Sequence, residues 1–130
     1  MTLFKSFENY KNNIALISKD EGCVYYKDLI DKSKIIANEI PNRSLILFIT
    51  KNSIASLILY LVLIKNNHIV MLIDYKTSEN DIINLIKLYK HHYIVGPNRL
   101  INKFNFFFNN KIYQLFDYSI LMNSKKEKIR

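Results

Sequence analysis

Apolar and polar positions alternate between two periods along this chain, and the alternation predicts its elements. Asn13 to Ser18 and Cys23 to Tyr26 are short apolar runs separated by Lys19-Asp20-Glu21-Gly22, which predicts a β-hairpin. Leu29, Ser33, Ile36, Ala37 and Ile40 then recur at helical spacing, and Pro41 ends that helix. Leu45–Thr50 is a nearly continuous apolar run, the pattern of a strand buried on both faces. Asn52 or Ser53 is placed to cap a helix over Ile54–Lys65 that is apolar almost all round. Ile69 to Ile73 repeats the buried-strand pattern, ending at Asp74. Ser78-x-x-Asp81 has the form of a capping box, and Ile82, Leu85, Ile86 and Tyr89 form a helical stripe behind it. Tyr93 to Val95 is a third strand, stopped by Gly96-Pro97.

The order over residues 45–96 is thus β-α-β-α-β with short connections. It predicts an α/β fold of three layers around a mainly parallel sheet, preceded by the hairpin and helix. Farther on, Leu100 to Phe104 reads as a helical turn. Phe106-Phe107-Phe108 and Lys111 to Phe116 read as an edge hairpin joined at Asn109-Asn110. Residues 1–120 are expected to form a single domain and residues 121–130 a basic, solvated tail. There is no internal repeat.

Length and composition narrow the chemistry. One hundred and thirty residues, 49% hydrophobic and 23% charged, suit one globular core rather than a disordered chain. The glycines are two, Gly22 and Gly96. A G-x-G-x-x-G fingerprint, a Walker A loop and a G-x-S-x-G elbow therefore have no place here. One cysteine, Cys23, leaves no intrachain disulfide and no multi-cysteine zinc site. Between Gly22 and Val24, with no adjacent cation, it reads as a small apolar strand residue.

The net charge is +8. Of the 19 basic residues 16 are Lys, and Lys, Asn and Ile make up 53 of the 130 positions, a bias toward A/T-rich codons. Arg, the better reader of phosphates and bases, occurs three times, and no run of five like charges appears. Nucleic-acid binding is the disfavoured reading. Residues 1–13 lack the apolar segment of a secretory signal, and the longest apolar run, Ile54 to Ile64, is short of the roughly 20 residues a membrane span requires. These features, with the lone cysteine, suggest the cytosol.

Few side chains are candidates for chemistry. His91-His92 as a metal pair is disfavoured, because adjacent side chains diverge on a strand or a helix; a cation pair at a helix C-terminus fits better. His68, at the start of a strand, reads as a structural, hydrogen-bonded histidine. Asp74 lies at the carboxyl end of a parallel strand, where α/β sheets bind ligands, yet turn initiation accounts for it. Phe104, Phe106, Phe107, Phe108, Tyr113, Phe116 and Tyr118, interleaved with Lys103 and Lys111, are weighed as a single-strand stacking platform, a half-buried core, or an apolar patch that docks a partner through residues 104–118. No catalytic, cofactor-binding or metal-binding residue is assigned.

The ordered set of segments resembles the N-terminal part of the AMP-forming (adenylate-forming) ligases, the superfamily of acyl-CoA synthetases, aryl acid ligases and peptide-synthetase adenylation domains. Asn13-Ile-Ala-Leu-Ile-Ser18 is similar to its "p-A-l-v" strand. Val24-Tyr-Tyr-Lys-Asp-Leu29 is similar to "l-T-Y-x-E-L", with Tyr25 for Thr and Asp28 for Glu. Ser44 to Ser53 parallels "d-r-V-a-i-l-l-p-N-s", and Leu63 to Asp74 parallels "l-k-a-G-a-v-v-v-P-l-D-P". Tyr93-Ile-Val-Gly-Pro97 sits where that family has "k-v-i-l-t". The likeness spans about residues 10–97, more loosely to about 120. Asn67 replaces the usual Gly, Leu72 a Pro and Tyr75 a second Pro, which bears on turn geometry. The phosphate loop "T-S-G-S-T-G-x-P-K", the later ATP-binding motifs and the C-terminal domain with its catalytic Lys have no counterpart. The resemblance implies a scaffold segment of an enzyme that uses ATP and Mg²⁺, with no cofactor on this chain and the rest of a split ligase as its partner. A non-catalytic interaction module and a basic nucleic-acid-binding domain are the alternatives.

Overall fold

The computed structural model describes residues 14–18 and 22–123, with side chains from Lys27 onward. Residues 1–13, 19–21, where a turn is expected, and 124–130, where a solvated tail is expected, lie outside the described residues, as does the side chain of Cys23. No described helix is long and apolar enough to cross a membrane.

The chain forms two compact units, one of residues up to Arg43 with Asn52–His68, the other of Ser44–Lys51 with Ile69 onward. In the first, β1 (Ile14–Ser18) and β2 (Gly22–Tyr25) pair antiparallel, as the hairpin pattern predicts. Helix α1 (Tyr26–Glu39) starts directly from β2, one residue earlier than the strand pattern suggests, and stops before Pro41. Its buried face is Leu29, Ile30, Ser33, Ile36 and Ile40, while Ala37 is exposed. Helix α2 (Ile54–Lys65) has its predicted bounds; Ser53 is the cap, its Oγ accepting from the Ser56 N–H at 3.2 Å. Asn66 joins the two helices: Ser33 Oγ donates to Asn66 Oδ1 at 3.4 Å, and Asn66 Nδ2 donates to the Ser33 carbonyl at 3.2 Å. Asn67 then turns the chain at φ 66°, a left-handed conformation that Asn tolerates.

The second unit is a five-stranded sheet in the order β4-β3-β5-β7-β6. Strand β3 (Leu45–Thr50) pairs in parallel with both β4 (Ile69–Asp74) and β5 (Tyr93–Pro97). Strand β7 (Tyr118–Asn123) is antiparallel to β5 and to β6 (Phe108–Leu115). The class is α/β, as expected; the sheet is mixed, with parallel strands on one side and an antiparallel hairpin on the other. Leu47, Ile49, Ile94 and Leu121 share a core with Ile82 and Ile86 of α3 (Glu79–Tyr89), Ile101 of α4 (Asn98–Ile101), and Phe104 and Phe108. Ile46, Phe48, Val95, Tyr118 and Ile120 are buried on the opposite face. Ser78 caps α3, its Oγ accepting from the Asp81 N–H at 3.1 Å.

Four sequence expectations are corrected here. Ile69 to Ile73 is not doubly buried: among the described residues β4 is an edge strand, because β5 returns to the far side of β3, and Ile69 and Leu72 are half exposed. Gly96-Pro97 does not stop β5 but continues it, paired with Ser119 and Tyr118. Asn109-Asn110 does not join a hairpin. Both lie within β6, where the register skips between Phe108 and Asn110, and the turn is at Phe116-Asp117 instead. Leu121–Asn123 do not belong to the tail; they complete β7. The helical turn over 100–104 is present as α4 followed by a 3-10 turn at Asn102–Phe104.

Candidate functional site

In open α/β sheets, ligands bind beyond the carboxyl ends of the parallel strands, at the crevice where the strand order reverses. Here that crevice lies between β3 and β5, since the chain leaves β3 for β4 on one side and then returns to β5 on the other. The residues at this edge are Thr50, which ends β3, and Lys51; Asp74, which ends β4, with Tyr75 and Lys76; and Pro97, which ends β5, with Asn98.

Internal bonds occupy much of this edge. Lys51 Nζ donates to Asp117 Oδ2 at 2.8 Å, and the Asp117 carbonyl accepts the Asn98 N–H at 2.7 Å. The β6–β7 turn thus lies across the mouth of the crevice. Beneath it, the Tyr118 hydroxyl donates to the Ile49 carbonyl at 2.8 Å, with its ring beside Phe48, and Ser119 Oγ bonds Asn98 Oδ1. Asp74 forms an Asx turn. Its Oδ2 accepts the Lys76 N–H at 3.1 Å and its carbonyl the Thr77 N–H at 2.9 Å, which is the turn role expected of it. Sequence patterns did not single out Lys51, Asn98 or Asp117, because a pair 66 positions apart leaves no local signal. Among the described residues no group of three His, Cys, Asp or Glu side chains is placed to hold a metal.

Gly96 serves packing. A Cβ there would meet Ile101 Cγ2 at 2.7 Å and Ile49 Cβ at 3.1 Å, so hydrogen is the substituent that lets α4 approach β3.

The histidines are not brought together with this edge, and they do not form the helix-terminal cation pair. Helix α3 ends at Lys90 in the left-handed region, which turns His91 into the interior. Burial, reinforced by charge on His92, lowers the His91 pKa from 6.5 to about 4. Its Nε2 lies 3.4 Å from Met71 Sδ, and Nδ1 has no partner among the described residues. The less costly tautomer carries its proton on Nε2, where the thioether accepts it and only an acceptor goes unused. His92 extends the β3–β5 pairing at its amino end: its Nδ1 accepts the Leu45 N–H at 2.9 Å and its own N–H donates to the Leu45 carbonyl at 2.9 Å. His68 is buried, which lowers its pKa, consistent with a structural role.

The aromatic stretch over 104–118 is not one surface. Phe104, Phe108 and Tyr118 are core residues, Phe107 and Tyr113 are partly buried, and burial raises the Tyr113 pKa. The exposed rings are Phe106, at 82%, and Phe116. The expected patch is therefore reduced to two rings.

The fold is similar to that of a solved structure. It is PA1221, an NRPS protein containing adenylation and PCP domains, similar with a TM-score of 0.56 and 18% identity over 72% of this chain. The chain spans 20% of that structure's length. The fold is thus like that of part of an adenylation-containing protein. No family model matches the chain, and no curated protein matches its sequence.

Proposed function

We propose that this chain is the N-terminal scaffold segment of an adenylate-forming ligase, contributing sheet and one wall to the enzyme and inactive by itself. The observation that carries this reading is the agreement of the segment order with the fold likeness. The ordered segments over residues 10–97 follow the ligase pattern, and the fold is like that of part of an adenylation-containing protein. In the whole enzyme a substrate carboxylate attacks the α-phosphate of ATP, giving an acyl-adenylate and pyrophosphate; a thiol then takes the acyl group and AMP leaves. The partner is the remainder of the ligase, and the compartment the cytosol.

The residues of this segment do not fit a triphosphate. Gly96 is committed to packing against Ile101 and Ile49, and the carboxyl edge between β3 and β5 is bridged by Lys51, Asp117 and Asn98. A phosphate cradle built of consecutive backbone N–H groups has no place to form there. No catalytic step is assigned to this chain.

The test is acid-dependent ATP–pyrophosphate exchange by the purified protein across a panel of fatty, aryl and amino acids. No exchange is expected. Exchange that depends on an added acid would overturn the scaffold reading. In a second arm, the DNA beyond codon 130 is read in all frames. A Ser/Thr/Gly-rich loop followed by ligase motifs, in frame or shifted, is expected there; unrelated sequence would remove the ligase assignment.

A further inference from the structure

The two edges of the five-stranded sheet differ in kind. Strand β6 carries two register shifts and exposes Asn109, Asn110 and Lys111, features that protect an edge from pairing. Strand β4 has none of them. Its six residues pair with β3 without interruption from Leu45↔Ile69 to Thr50↔Asp74, and it holds no Pro, Gly or charged residue before Asp74.

The outer side of β4 is available for bonding among the described residues. Ile69 N–H donates to the Ser44 carbonyl at 2.9 Å and Tyr75 N–H to the Thr50 carbonyl at 3.0 Å. Alternation in a parallel ladder therefore turns Ile69, Met71, Ile73 and Tyr75 toward β3. The peptide groups of Val70 and Leu72, and the N–H of Asp74, point away from the sheet. Apolar side chains flank that row on both faces: Ile69 is 50% exposed on the face covered by α3, and Leu72 is 49% exposed on the other.

Charge identifies the occupant. Helix α3 carries Glu79 and Asp81 in its first turn and Lys87 in its last, with Lys90 at its cap. Its acidic start follows the carboxyl end of β4, where Asp74 lies. Its basic end lies beside the middle of the strand, through the contact of His91 with Met71. The edge is thus net acidic at one end, where Asp74, Glu79 and Asp81 outweigh Lys76, and basic toward the other. A parallel neighbour would set like ends side by side, whereas a two-fold axis beside β4, perpendicular to the sheet, runs the two α3 helices antiparallel, so that the acidic start of each lies alongside the basic end of the other.

We propose that β4 is the interface of a symmetric dimer, in which a second copy of this chain pairs antiparallel with β4 to give a continuous ten-stranded sheet. This stands on the edge itself and does not depend on the ligase reading.

The test is sedimentation and light scattering of the full chain over a wide concentration range. A monomer–dimer equilibrium is expected. Leu72→Lys should weaken it by about tenfold or more, since it places a cation beside the paired strand, and unchanged circular dichroism would show that the fold persists. Asp81→Lys alone and Lys87→Glu alone should each weaken the dimer, and the two together should restore it. Three outcomes would overturn the proposal: a chain that is monomeric throughout, whether or not another polypeptide segment protects the Val70 and Leu72 amides from exchange; a dimer insensitive to Leu72→Lys; or a charge-reversed double variant no tighter than the single ones.

Discussion

At the scale of single residues, His91 has the plainest consequence. Its imidazole is buried with no carboxylate partner among the described residues, so the folded protein holds it neutral, with a pKa of about 4 against 6.5 when exposed. Between those two values the unfolded chain takes up a proton that the folded chain refuses. Stability is therefore lost as pH falls from about 6.5 to about 4, with no contribution from this residue above that window and no further loss below it. A shift of this size corresponds to about 3 kcal/mol at the acid end. His68, also lowered, acts in the same direction. Urea midpoints measured from neutral to acid pH should fall less steeply for His91→Leu than for the parent; parallel profiles would refute the assignment. This role was not legible in the sequence. His91 follows a helix whose last turn carries Lys87, which is where a solvated cation is expected, and only the left-handed Lys90 cap shows that the chain turns inward.

At the scale of elements, legibility followed the strength of the local pattern. Leu45–Thr50 and Ile54–Lys65 were readable to the residue because an unbroken apolar run is bounded by polar turns and a serine cap. The hairpin at 108–123 was misplaced because its residues mislead. Asn109-Asn110 has turn chemistry but occupies a bulge, while the real turn puts a phenylalanine at φ 54°. No propensity anticipates Phe in the left-handed region, which costs an L-residue with a Cβ roughly 1–2 kcal/mol. The Phe116 ring is half exposed, so little packing is lost on removing it. The bond from Gln114 Nε2 reaches the Phe116 carbonyl, which any residue supplies. Phe116→Gly is therefore expected to raise stability, by about 0.5–1 kcal/mol after the added freedom of the unfolded chain is counted. A lower melting temperature would show that the ring contributes more than its conformation costs.

At the scale of the whole molecule, periodicity carried the class of fold and missed the order of its strands. Burial of β3 on both faces is visible in Leu45–Thr50, but nothing in Ile69–Asp74 distinguishes an edge strand from a central one. That difference arises from where β5 returns, through pairings some 20 or more positions away. The same non-local logic fixes the weight of the last strand. Strand β7 lies between β5 and β6, so it is the only described link between β6 and the rest of the sheet. It also places Tyr118, Ile120 and Leu121 in the interior, with the Tyr118 hydroxyl on the Ile49 carbonyl. A chain ended after Asp117 would keep every parallel pairing, yet it would expose the edge of β5, detach β6 and uncover Phe48 and Ile94. Each large side chain lost from the interior costs on the order of 2–5 kcal/mol, and three such losses approach the whole stability of a domain this size. The shortened chain is expected to melt without a cooperative transition, with unprotected amides in β5. A sharp transition near that of the parent would mean that β3, β4 and β5 with their helices suffice as a folding unit, and that the antiparallel hairpin is an addition to the α/β core rather than part of it.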